Sequence, residues 1–307
     1  MSNVTGNRIA YHRYGPPDVL RWEPEEPSDP GAGEVRIRQE LIGVNPVDWK
    51  MVAGYFRHTD RAPFPHVPGW AGTGIVEAVG PGVNHLHIGD PVIAGARGGA
   101  FREHLVVDAS LVVLRPETVG VRQAAGLPSS AVAGYSLVEN LGVTAGDTLL
   151  VHGAAGSVGS VAVQIAVSRG ATVIGTASAG NHDYVRSLGA VPVGYGPGLL
   201  DSLRRHRPFD CVADAVGGRE TVEVTRTVLA PGGRAVTAWG DRHSEAAGIP
   251  WVRHPADELE QTVALAARGI VTVRIGPTFP LKRAADALRL SQTGHPDGKI
   301  LLVPFRR

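Results

Sequence analysis

The stretch Val151-His152-Gly153-Ala154-Ala155-Gly156-Ser157-Val158-Gly159 constrains this chain more than any other. It follows the apolar run Thr148–His152, which reads as a strand. It opens residues 157–169, where Val158, Val161, Ala162, Ile165 and Ala166 recur at helical spacing. Strand, glycine-rich turn and helix in that order make a phosphate-binding turn. The pattern is G-x-G-x-x-G with Ala154 in the place of the first glycine. Gly156 lets a pyrophosphate approach the backbone, and Gly159 lets the helix pack closely on a sheet. Gly153, Ala155, Ser157 and Val158 complete the loop, and the amides at the helix start point at phosphate oxygens. A plain tight turn is the alternative. The strand–helix units that follow favour a dinucleotide.

The end of the next strand reports which dinucleotide. An acid there grips a ribose 2′-hydroxyl and repels a 2′-phosphate. The chain reads Gly175-Thr176-Ala177-Ser178-Ala179-Gly180-Asn181-His182, with no acid. Ser178 and His182 offer hydrogen bonds to a 2′-phosphate, which points to NADPH. Ser178 and Asn181 are also ordinary caps for the helix that follows, and the two roles are compatible.

The rest of the 307 residues changes rhythm twice. Residues 1–122 carry short β-type runs at 34–41, 73–79, 91–93 and 103–107, separated by Gly/Pro turns, as in an all-β barrel-like unit. Residues 123–262 alternate strand and helix, with further strands expected at Thr172–Thr176, Phe209–Ala213 and residues 234–238, the signature of a doubly wound parallel sheet. Residues 263–307 break that rhythm with a β run at 271–275, a helix at 281–291 and a terminal strand, Lys299–Val303. The fold class expected is α/β.

Composition narrows the chemistry. A net charge of +1 and no basic cluster interleaved with aromatics argue against nucleic acid. Arg204, Arg205 and Arg207 read as a solvated helix end. No apolar run reaches the ~18 residues of a membrane span, and no signal-peptide layout opens the chain, so a cytoplasmic location is expected. The single cysteine, Cys211, lies in an apolar strand as a core thiol and excludes a multi-cysteine zinc site. His85 and His87 are spaced like ligands but sit in a surface turn, so no metal is expected.

Several segments together resemble the medium-chain dehydrogenase/reductase superfamily in its quinone oxidoreductase branch. They are Gly43-Val44-Asn45-Pro46-Val47-Asp48, Val67-Pro68-Gly69 running on to Gly80, and Gly89-Asp90-Pro91-Val92. Ala124-Ala125-Gly126-Leu127-Pro128, the phosphate loop, residues 210–218, Pro231-Gly232-Gly233 and Gly298-Lys299-Ile300 follow in the family's order. The resemblance implies a GroES-like β-barrel catalytic domain, formed by residues 1–122 and 263–307, with a Rossmann domain inserted at 123–262. It also implies a homodimer and hydride transfer from NADPH to a quinone or enone. The zinc branch has a His-Glu pair where this chain continues Gly69-Trp70-Ala71, and it has a four-cysteine lobe that is absent here.

The resemblance places Tyr195 near the 2′-phosphate and Val216 and Gly217 near the nicotinamide ribose. Lys299 either helps to close the cleft that holds the cofactor or is a surface lysine. Ala71, Ala133 and Phe56 depart from the family pattern, Phe56 standing where related enoyl reductases have a tyrosine proton donor. Tyr55, one position earlier, is the nearest candidate, beside bulk water or a relay through Asn45 and Asp48. Asn45 is either a hydrogen-bond donor to a substrate carbonyl or a turn residue before Pro46. Asp48 either takes part in that relay or orients a loop. Phe56 and Trp70 line an acceptor slot or are plain core. A pathway-specific enoyl or polyketide tailoring reductase and a non-catalytic NADPH-binding redox sensor are the competing readings.

Overall fold

A computed structural model describes residues 5–58, 63–206, 208–294 and 296–305. Arg207 lies outside the described residues; Arg204 and Arg205 are exposed in the turn that ends helix Leu199–Leu203. The chain divides into two compact units. One comprises Met1–Ser129 with Arg274–Arg307, and the other is Ser130–Val273.

The strands in chain order are β1 (Gly6–Ala10), β2 (Arg21–Glu25), β3 (Glu34–Gly43), β4 (Ala71–Val79), β5 (Pro91–Gly95), β6 (His104–Asp108) and β7 (Val112–Leu114). In the second unit they are β8 (Thr148–His152), β9 (Thr172–Ala177), β10 (Val191–Gly194), β11 (Phe209–Asp214) and β12 (Leu229–Thr237). β13 (Ile275–Pro280) and β14 (Lys299–Val303) return to the first.

In the first unit, β13-β14-β3-β4-β5-β7 form one largely antiparallel sheet, and β6 pairs with β3. Its core draws on these strands, with Ile37, Ile42, Val76, Val92, Leu105, Ile300 and Leu302 buried, and on Phe101 from the loop before β6. The C-terminal strand belongs to this sheet because β14 runs antiparallel to β3, Leu302 against Ile42.

The second unit is a parallel five-stranded sheet in the order β10-β9-β8-β11-β12. β8 and β11 are buried almost throughout, as central parallel strands covered on both faces must be. Helix Gly159–Ser168 buries Val161, Ala162, Val163, Ile165 and Ala166. Cys211 is a core residue of β11.

The strand expected at 271–275 is not formed; the strand is Ile275–Pro280. Gln164 explains the shift. Its Nε2 donates to the Thr272 carbonyl (2.9 Å) and its Oε1 accepts from the Thr272 amide (2.9 Å), so both backbone groups of Thr272 are spent on a side chain. Helix Glu258–Ala267 stays with the second unit through Glu258, which accepts from Ser136 Oγ at 2.7 Å. No helix among the described residues is long and apolar enough to cross a membrane.

Candidate functional site

In the second unit, the residues singled out for the cofactor gather along the C-terminal edge of the parallel sheet. β8 hands the chain to a turn whose first residue, Gly153, has φ +72. Thr176 of β9 holds that turn: its Oγ1 accepts from the Gly153 amide (2.9 Å) and its carbonyl from the Ala154 amide (2.9 Å). Gly156 N–H closes on the Gly153 carbonyl at 3.0 Å. A Cβ on Gly159 would lie 2.3 Å from that same carbonyl oxygen, so only glycine lets the helix begin there. Among the described residues, the amides of Ala155, Ser157 and Val158 donate to no backbone carbonyl. They are the donors an anion at this helix start would take.

Ala177 of β9 pairs with Gly194 of β10, so Ser178 and Tyr195 leave neighbouring strands side by side. Ser178 Oγ accepts from Asn181 Nδ2 at 3.0 Å and makes no helix-cap hydrogen bond. His182 Nε2 is 3.3 Å from the Ala177 carbonyl, and Tyr195 is well exposed.

Asp214, which sequence reasoning misses, organises the turn after β11. It is buried, and its Oδ1 accepts from the amides of Val216 (3.0 Å) and Gly217 (2.9 Å). Gly217 has φ +81, and a Cβ there would lie 2.3 Å from Trp239 Cδ1. Val216 in turn packs over Gly153, so the turns after β8 and β11 touch. The only sequence signal for Asp214 is its place between an apolar strand and Ala-Val-Gly-Gly. Burial pushes His152 down to about 4, against the pull of Asp214, so this histidine is neutral near pH 7. The cradle fits a dinucleotide: it presents open amides, lacks Cβ atoms where they would block the turn, and has no acid at the end of β9.

In the first unit, Asn45 and Asp48 bracket the start of helix Pro46–Val52, at 1% and 0% exposure. The Asn45 amide donates to Asp48 Oδ2 at 2.7 Å, and Asn45 Nδ2 lies 3.3 Å from the Gly43 carbonyl. Lys299 is not a surface lysine: it is 3% exposed, and its Nζ donates to Asn45 Oδ1. Gly43 makes this possible, because a Cβ there would lie 3.2 Å from Lys299 Cε and 2.2 Å from the Ala125 carbonyl oxygen. Burial raises Asp48 to about 7, with the Asn45 amide, Lys299 and the Gly69 amide opposing it. Burial likewise lowers Lys299 to about 8, with Asp48 opposing.

The helix runs into a turn through a Tyr55 N–H to Lys50 carbonyl bond of 3.0 Å. Tyr55 is 62% exposed and packs edge-on against Trp49. Phe56 is also exposed. Trp70 is half-buried, with Nε1 2.9 Å from Met51 Sδ. A groove of 1040 Å³ in the same unit, lined by Trp22, Leu41, Phe279 and Phe305 among others, includes none of these residues. Among the described residues no three His, Cys, Asp or Glu side chains gather as a metal site would require.

Residues 31–117 match the family model of the alcohol dehydrogenase GroES-like domain, and residues 195–302 match that of the zinc-binding dehydrogenases. The NADPH-dependent alkenal/one oxidoreductase of Arabidopsis thaliana chloroplasts is 32% identical, over 96% of this chain and 78% of its own. The chloroplast envelope quinone oxidoreductase homolog of the same plant is also 32% identical, over 90% and 91%. The structure of the quinone oxidoreductase from Coxiella burnetii superposes with a TM-score of 0.87 at 26% identity, covering 99% of this chain and 100% of that one. In this chain the segment that forms the parallel sheet is inserted, in sequence, into the segments that form the antiparallel unit, which the last strand completes. The chain belongs to the medium-chain dehydrogenase/reductase superfamily, as an oxidoreductase with a GroES-like catalytic domain and a Rossmann domain.

Proposed function

We propose that this protein is an NADPH-dependent oxidoreductase that reduces a quinone or an α,β-unsaturated carbonyl compound without zinc. The observation that carries the cofactor choice is the end of β9, where Ser178 stands beside Tyr195 and no acid is present. The acceptor class is supported by relatives named for alkenal/one and quinone reduction. Zinc independence is supported by Gly69-Trp70-Ala71 and the single cysteine.

Each unit has its share of the work. In the Rossmann domain, Gly153, Ala155, Gly156, Ser157, Val158 and Gly159 bind the pyrophosphate. Ser178, His182 and Tyr195 surround the 2′-phosphate, and Val216 and Gly217, fixed by Asp214, hold the nicotinamide ribose. The bound nicotinamide supplies a hydride. The acceptor also needs one proton, at its oxygen or at the carbon α to its carbonyl. Tyr55, whose side chain is open to solvent, holds that proton on its hydroxyl. Phe56 and Trp70 form the apolar wall against the acceptor. Asn45, whose Oδ1 accepts from Lys299 and whose Nδ2 lies 3.3 Å from the Gly43 carbonyl, and Asp48, which accepts from the Asn45 amide, support the start of the helix. A homodimer in the cytoplasm completes the proposal.

The test is oxidation of NADPH, followed by its absorbance, against a panel of quinones and enones, with NADH in parallel. Turnover with simple acceptors and a preference for NADPH supports the proposal. Tight NADPH binding without turnover of any panel member favours the tailoring reductase or the sensor. Failure to bind either cofactor overturns it.

A further inference from the structure

Three buried polar side chains from distant parts of the chain meet inside the first unit. Asn45 and Asp48 open helix Pro46–Val52, and Lys299, 254 positions after Asn45, opens the last strand, β14. None of the three is more than 3% exposed. They form a chain of bonds: Lys299 Nζ to Asn45 Oδ1, then Asn45 N–H to Asp48 Oδ2. The backbone repeats the link, since the Val44 amide donates to the Ile300 carbonyl at 3.0 Å.

Taking an ammonium and a carboxylate out of water is costly, and a well-packed apolar set of the same volume is often as stable. Stability alone therefore does not account for the cluster. What it does supply is a fixed geometry. The helix it caps carries Met51, against which Trp70 lies, and runs directly into Tyr55.

We propose that Lys299 is a positioning residue for acceptor reduction, its ammonium fixing the Asn45–Asp48 turn and, through the helix, the placement of Tyr55 and Trp70. This rests on the reading of Tyr55 and Trp70 given above. It also assigns Lys299 to the acceptor side of the reaction instead of to the cofactor.

The experiment compares wild type with K299M, which keeps the aliphatic stem, and K299Q, which keeps an amide donor for Asn45 but no charge. Three readings are taken on the full-length protein: kcat and KM for NADPH oxidation by an enone, the NADPH dissociation constant, and peptide-resolved hydrogen exchange. For K299M, kcat falls about tenfold or more, while NADPH affinity stays within about twofold. Exchange speeds up in the peptides over 45–56 and not in those over 153–159. K299Q shows the same pattern to a smaller degree, and it decides the matter should K299M fail to fold. Unchanged kcat and unchanged exchange over 45–56 overturn the proposal. So does a loss of NADPH affinity at constant kcat, or faster exchange spread evenly through the unit. If wild type reduces no acceptor, the functional reading fails, and the exchange pattern still judges Lys299.

Discussion

Gly159 is the position where a single missing carbon decides most. Its absent Cβ would sit 2.3 Å from the Gly153 carbonyl oxygen and 3.0 Å from Ala154 Cα, both backbone atoms that cannot rotate away. Gly159→Ala therefore has to move the phosphate turn. The expected result is a loss of about 1–3 kcal/mol of stability, the usual cost of overpacking, and an NADPH dissociation constant raised about tenfold or more. Calorimetry and a fluorescence titration of the same variant check both. In the proposed function, the absence of an acid at Ser178 is what admits a 2′-phosphate. Ser178→Asp puts a carboxylate where a 2′-phosphate belongs, so the ratio of NADPH to NADH affinity should fall by about tenfold or more. An unchanged ratio would show that the 2′-phosphate is read elsewhere.

His152 makes a prediction about pH. Its pKa falls from 6.5 to about 4 on folding, because burial disfavours the imidazolium. Between those values the unfolded chain binds more protons at this site, so its contribution to stability is complete above about 6.5 and is lost as pH falls toward about 4. Asp48 acts oppositely. Its pKa is raised from 3.8 to about 7, and it favours the folded state more at the acid end of that range. The difference between wild type and His152→Gln isolates the histidine: wild type should lose stability relative to the variant as pH drops from 6.5 to 4. A difference that stays flat across that range would contradict a neutral buried His152.

At the scale of elements, the sequence is most legible where periodicity and turn chemistry agree. Thr148–His152 and Lys299–Val303 are read to the residue because each short apolar run follows a turn built on a glycine, Gly146 and Gly298. The 271–275 run is misread for a reason no local pattern contains: Gln164, more than a hundred residues away, takes both backbone groups of Thr272. Lys299 is ambiguous in sequence for the same kind of reason, since only the fold reveals that Gly43 leaves room for its stem. Asp214 goes unread because its role is to hold backbone amides after a strand, which any turn aspartate can do. Asp241 is a similar device. Its carboxylate accepts from His243 and Ser244 at the start of helix Arg242–Ala246 and also from the Gly218 amide at 2.9 Å. Asp241→Ala should cost about 1–2 kcal/mol, as loss of an N-cap does. It should also weaken NADPH binding, because Gly218 adjoins the Val216-Gly217 turn.

At the scale of the whole molecule, the chain forms two units of different architecture, passing from one to the other at Ser129/Ser130 and returning at Val273/Arg274. The Rossmann domain is legible from one loop because dinucleotide binding depends on backbone geometry, which glycine spacing records. The proposed acceptor side is not, because a hydride acceptor is recognised by the shape of an apolar wall, and Tyr55, Phe56 and Trp70, proposed for it, have no spacing rule of their own. In the proposed function this chain delivers hydride from NADPH to an electron-poor acceptor. Steady-state oxidation of NADPH by a simple enone and a simple quinone, with NADH alongside and Tyr55→Phe as the paired variant, tests it most directly. Turnover that prefers NADPH, with kcat reduced about tenfold or more in Tyr55→Phe, is the expected result. Equal rates with NADH, or no acceptor-dependent oxidation by a protein that binds NADPH tightly, would contradict it.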